Sequence, residues 1–171
     1  FNFPMMKTQR LLLILALLAF TIPTFAQKSL PSVDVKTLDG QTVNIQDIVK
    51  EHDIVILSFW ATWCKPCKLE MDAFLDFYDE WKEDYGVEVV AVTIDTQRAM
   101  PKVKPMVETK GWPFVFLADP KQDLKNALNF QAIPQTFMLV ANGEIVYEHS
   151  GYLPGDEYEL EKKVKEAAGK K

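Results

Sequence analysis

The apolar positions of this chain fall into blocks whose spacing switches between two and about 3.6, and the switches mark its elements. Val33 and Val35 alternate with polar residues, an Asp39-Gly40 turn follows, and Val43 and Ile45 resume the alternation. That pattern predicts a β-hairpin between Ser29 and Val49. Ile54 to Trp60 is a continuous apolar, β-branched run, as expected of a strand buried on both faces. Over residues 66–84 the period changes: Cys67, Met71, Phe74, Tyr78 and Trp81 recur at three- and four-residue steps. An amphipathic helix is predicted there, ended by Gly86. Val87 to Ile94 reads as a second buried strand, and a helix follows over residues 100–110 with Pro101 at its start. A short strand is predicted at Phe114 to Leu117, closed by Asp119-Pro120, and a short helix over Lys121 to Leu128. Thr136 to Val140 and Glu144 to His149 flank Asn142-Gly143, the signature of a two-residue hairpin. Tyr158 to Ala168 supplies a last helix. The order ββ-β-α-β-α-β-α-β-β-α, without repeats or low-complexity linkers, predicts an α/β domain with a mixed sheet and helices on both faces.

The first block follows neither period. Lys7 and Arg10 precede Leu11 to Phe20, and Thr24-Phe25-Ala26 follow. A basic start, a short apolar stretch and a small residue at the cleavage point read as a secretory signal peptide over residues 1–26, with translation starting at Met5 or Met6. The rival reading is an uncleaved membrane anchor. The apolar run Leu11 to Ile22 has 12 residues and Pro23 ends it, short of the ~20 that span a bilayer. No cysteine lies near the cleavage point, which argues against a lipid anchor. Residues 27–171 then form one domain, and a chain of 171 residues with 48% hydrophobic content can bury one core. Without the leader, 17 cations face 24 anions, a net charge of −7 that disfavours nucleic acid as a partner.

Both cysteines of the chain, Cys64 and Cys67, lie in Trp63-Cys64-Lys65-Pro66-Cys67 directly after the first buried strand. A spacing of three lets two sulfurs meet across one helical turn. So short a loop stabilises little as a cross-link, so the pair reads as a reactive dithiol. Zinc would require further Cys or His ligands nearby, and the histidines, His52 and His149, are distant in sequence and read as surface residues. No metal and no cofactor is therefore expected. Cys64 falls at the start of the predicted helix, where unpaired backbone N–H groups favour a thiolate, and so is assigned as the attacking sulfur. Cys67, one turn inside, is assigned as the resolving one. Pro66 suits the first turn, where its missing N–H costs nothing. Lys65 either favours the thiolate by its charge or is merely solvated.

At this point the chain resembles the thioredoxin superfamily. Phe59-Trp60-Ala61-Thr62-Trp63-Cys64-Lys65-Pro66-Cys67 is similar to its active-site signature, and Ile133-Pro134-Gln135-Thr136 to its cis-proline loop. The amino-terminal hairpin, the extra strand and helix between residues 87 and 110 and the leader resemble the exported TlpA/ResA-type branch. The resemblance implies a thioredoxin-like fold with an amino-terminal hairpin extension and a redox-active Cys64–Cys67 disulfide. It also implies a cis bond before Pro134, with the Ile133 backbone and Trp63 contacting substrate. Trp63 is expected to pack on the disulfide, whereas Trp60 is expected in the core. The branch further implies that Glu70 tunes the cysteines and moves protons. Ser58 is a departure, because cytoplasmic thioredoxins carry a buried aspartate at this strand position. The implied activity is reduction of disulfides in periplasmic or otherwise extracytoplasmic proteins, apocytochrome c among them. A membrane-embedded electron donor would recharge a monomeric enzyme.

Two other functions remain open on the residues. A peroxiredoxin would hold its cysteine in Pro-x-x-x-Thr-x-x-Cys, but Thr62 lies two residues before Cys64 and no matching proline precedes it. A copper carrier on this fold would space its cysteines one residue wider and add a histidine.

Overall fold

The computed structural model describes residues 28–169; the predicted leader lies outside them. Strands β1 (Asp34–Thr37) and β2 (Thr42–Asn44) form the predicted antiparallel hairpin. Ile45, expected to prolong it, instead opens helix α1 (Ile45–Lys50). Asn44 causes the change: its side chain accepts from the Gln46 backbone N–H at 3.1 Å and caps a helix that buries Ile45 and Val49.

β3 (Ile54–Trp60) and β4 (Val87–Thr93) are parallel neighbours, buried along their whole lengths, as their unbroken apolar runs predict. Helix α2 (Lys65–Tyr85) connects them. It ends at Gly86, whose φ of +64° is a left-handed cap that a side chain would strain. The segment after β4 begins as a 3₁₀ turn, Met100–Lys102, before it becomes helix α3 (Val103–Lys110). β5 is Val115–Ala118 and α4 is Asp123–Leu128. β6 (Gln135–Val140), β7 (Ile145–Ser150) and α5 (Asp156–Ala168) complete the chain.

The β6–β7 connection is longer than the Asn142-Gly143 signature predicts. Gly143 N–H donates to Val140 O at 2.8 Å, and Val140 N–H donates to Glu144 O at 3.1 Å. Ala141, Asn142 and Gly143 thus make a three-residue loop. Gly143 supplies the left-handed residue (φ +78°), and Asn142 accepts from Glu144 N–H instead of completing a two-residue turn.

The seven strands form one mixed sheet in the order β2-β1-β5-β4-β3-β6-β7. Alternation along β3 separates its two faces. Ser58 and Trp60 face α2, where Trp60 meets Trp112 and Phe116 edge-on. Phe59 points the other way, its ring 4.6 Å from Phe130 just beyond α4 and 6.1 Å from Phe137. Helices α2 and α5 lie side by side, joined by the Phe77–Tyr158 ring contact. Trp60 is fully buried, as expected. Among the described residues, no helix is long and apolar enough to cross a membrane.

Candidate active site

The site forms where β3 ends. Beyond Trp60 the chain cannot continue as strand, because Ala61–Trp63 turn into α2, with Cys64 N–H donating to Ala61 O at 3.0 Å. Asp95, just past the end of the neighbouring β4, fixes this turn. Its carboxylate accepts from Thr62 N–H (2.7 Å), Thr62 Oγ1 (2.9 Å) and Thr93 Oγ1 (2.7 Å), and it is fully buried. Lys68 reaches back from α2 and donates to the Thr62 carbonyl at 2.9 Å. The loop before the cysteine is thus held from both sides.

Cys64 is the N-cap of α2, and its sulfur accepts from Cys67 N–H at 3.3 Å. A sulfur in that position meets the positive end of the helix, which stabilises a thiolate. Pro66 sits in the first turn without disturbing it. The two sulfurs are bonded, with Cα atoms 5.4 Å apart. Both cysteines are buried, Cys64 with 3% of its surface exposed and Cys67 with none. Ile133–Pro134 is cis, and Ile133 O lies 3.9 Å from Cys64 Sγ. This is a contact rather than a hydrogen bond, since the disulfide carries no S–H. Pro134 is buried and its carbonyl accepts from Gly151 N–H at 2.8 Å. Trp63 stands on the rim with 68% of its surface exposed, so packing on the disulfide covers only a minor part of it. Lys65 is exposed and forms no ion pair among the described residues.

Glu70 lies one turn beyond Cys67. Its place bordering the apolar stripe understates its position, for the side chain turns fully into the core and is 3% exposed. Ser58 Oγ donates to Oε2 at 2.9 Å and Thr136 Oγ1 donates to Oε1 at 2.8 Å. The helix carboxyl therefore hangs directly over Ser58 of β3. Loss of hydration raises its pKa to about 7, against the lowering by the two hydroxyls, and the Asp156 carboxylate adds to the rise. A group that changes charge near neutral pH can both take and return a proton.

Residues 26–148 match the AhpC/TSA family. Over 163 residues the chain is 31% identical to the thiol-disulfide oxidoreductase ResA of Geobacillus kaustophilus, covering 90% of this chain and 91% of that protein. The chain belongs to this thioredoxin-like family. It is also 31% identical over 150 residues to the sporulation thiol-disulfide oxidoreductase A of Bacillus subtilis, covering 82% and 88% of the two chains. A solved thioredoxin-like protein from Porphyromonas gingivalis superposes with a TM-score of 0.70 at 39% identity, covering 82% of this chain and 92% of that one. The family member described here is a thiol–disulfide oxidoreductase.

Sequence reasoning missed Asp95 and misplaced His149. An acid directly beyond a buried strand, at the same sheet end as the cysteines, was the available signal for Asp95. His149 is not a plain surface residue. It pairs across β6–β7 with Thr136, and its Nε2 lies 3.0 Å from Asp156 Oδ2 at the start of α5, leaving the side chain 32% exposed. His52 is half-buried in the turn after α1.

Proposed function

We propose that the protein is an exported reductase of disulfides in extracytoplasmic proteins, with Cys64 attacking and Cys67 resolving. The observation that carries this reading is the combination of a cysteine capping α2 with a buried carboxyl, poised near neutral pH, one turn behind its partner. The Cys64 thiolate forms a bond to one sulfur of the substrate disulfide, and the other sulfur leaves as a thiolate that takes up a proton. Cys67 then gives its proton to the Glu70 carboxylate and attacks Cys64 Sγ. The second substrate sulfur is released as a thiolate, which takes up a proton, and the Cys64–Cys67 disulfide reforms. Two electrons have passed to the substrate, and a dithiol on a membrane-embedded donor restores them.

Ile133 and Trp63 offer an extended substrate segment a backbone edge and an apolar rim beside the sulfurs. Export rests on the leader over residues 1–26, and apocytochrome c is one substrate of suitable chemistry. The reduced protein should reduce insulin, and Cys67→Ser should hold a mixed disulfide on Cys64 whose attached polypeptide mass spectrometry identifies. Rapid peroxide consumption with no disulfide exchange, or tight Cu(I) binding with none, would overturn the reading.

A further inference from the structure

The face of the sheet beneath α2 carries a row of polar side chains in an otherwise apolar core. Strand register pairs Ser58 of β3 with Thr136 of β6, and Thr136 with His149 of β7. Paired residues of antiparallel strands share a face. The row thus runs outward from the fully buried Ser58, past Thr136, to the partly exposed His149. Glu70 hangs from α2 over its inner two members. Asp156, itself 30% exposed, closes the outer end against His149 and also accepts from Leu153 N–H at 2.7 Å. A crevice of about 10 Å³, room for roughly one water molecule, runs between Glu70 and this pair. Both His149 and Asp156 lie beyond the residues 26–148 that match the family.

We propose that the His149–Asp156 pair is a positioning pair for Glu70, setting the pH at which the buried carboxyl changes charge. The inference rests on the reading of Glu70 as the proton partner of the cysteines. Charge enters the crevice from few directions. Ser58 and Thr136, on β3 and β6, are uncharged, and on α2 itself the neighbouring reactive group is Cys67. On β7, Tyr147 stays protonated, its pKa pushed up to about 12 by burial and by nearby carboxylates. In the loop before α5, Tyr152 is likewise raised and donates to Glu157 at 2.9 Å. Glu157 also accepts from Gly155 N–H, and Glu159 is the third acid of that first turn.

Asp156 is the carboxylate that acts on Glu70, and the His149 ring, 3.0 Å from it, is the group whose positive charge, when it carries a proton, offsets it. The charge of Asp156 opposes ionisation of Glu70, and a positive charge on the neighbouring His149 ring would offset it. The two residues therefore act on Glu70 with opposite signs.

The test is an NMR titration of the Glu70 side-chain carboxyl in the oxidised full chain, with carboxyl-labelled glutamate and Glu70→Gln to assign the signal. Asp156→Asn should lower the Glu70 midpoint, as loss of a nearby like charge does. His149→Gln should raise it, because the offsetting cation is gone. A merely structural role would open the crevice in both variants and move both midpoints down toward that of a solvated glutamate. Shifts of opposite sign support the proposal; shifts of the same sign, or none, overturn it. Insulin reduction by the wild-type protein at fixed pH separately reads the proposed function, so failure of either claim is seen without the other.

Discussion

Glu70 concentrates the physical tension of this molecule. A carboxyl stripped of water favours its neutral form, and two hydroxyl donors offset only part of that cost. The consequence for stability has a definite sign. The folded state holds the proton up to about pH 7, whereas a solvated glutamate releases it near 4.5. Between those values the folded state binds more protons than the unfolded one, so stability falls as pH rises through this window. Above pH 7 the full penalty applies, about 3 kcal/mol on the linkage scale of 1.36 kcal/mol per pH unit. Glu70→Gln keeps the shape and cannot ionise. Denaturant melts of the oxidised protein should show the variant more stable than wild type at pH 8, by up to about 3 kcal/mol, with the difference shrinking as pH falls toward 4.5. The sequence showed the place of Glu70 beside the helical stripe and the unusual Ser58, but not that the two touch. Their contact depends on how α2 packs back onto β3, which a local pattern does not encode.

At the scale of elements, the long uniform ones were legible and the short capped ones were not. β3, β4 and α2 read directly from their periods, because burial on both faces or along one stripe leaves an unbroken signature. Helix α1 was hidden, since one capping bond from Asn44 decided between two readings of Ile45. The β6–β7 loop differed for a similar reason, as the Asn142 side chain bonds locally. Element geometry also positions the cysteines, since Asp95 ties the end of β4 to the turn that launches α2. Asp95→Ala removes every side-chain acceptor of the buried Thr62 N–H. It should cost about 1–3 kcal/mol, the usual penalty for a buried donor left without a partner. Hydrogen exchange should then find the Thr62 amide less protected, with the α2 centre unchanged at matched stability.

At the scale of the whole molecule, the fold brings three distant stretches to one end of the sheet. The cysteines come from the start of α2, the cis-proline loop from the entry to β6, and the His149–Asp156 pair from β7 and α5. The two motifs were visible in the sequence because each is contiguous. The third stretch was not, because His149 and Asp156 matter only through a crevice that pairing and helix packing create. The proposed mechanism divides the work within one helix: Cys64 at its positive end favours a thiolate, and Cys67 inside it would need a base.

The proposed role of Glu70 as that base is exposed most directly in the step in which Cys67 resolves the mixed disulfide. Mixing the reduced protein with excess of a reporter disulfide in stopped flow should give two phases. The first depends on reporter concentration and reports attack by Cys64; the second does not and reports resolution. The wild-type resolution rate should have a midpoint near pH 7, displaced in Glu70→Gln toward the ordinary thiol value of about 8.5. Resolution in Glu70→Gln with the wild-type midpoint and rate would contradict it.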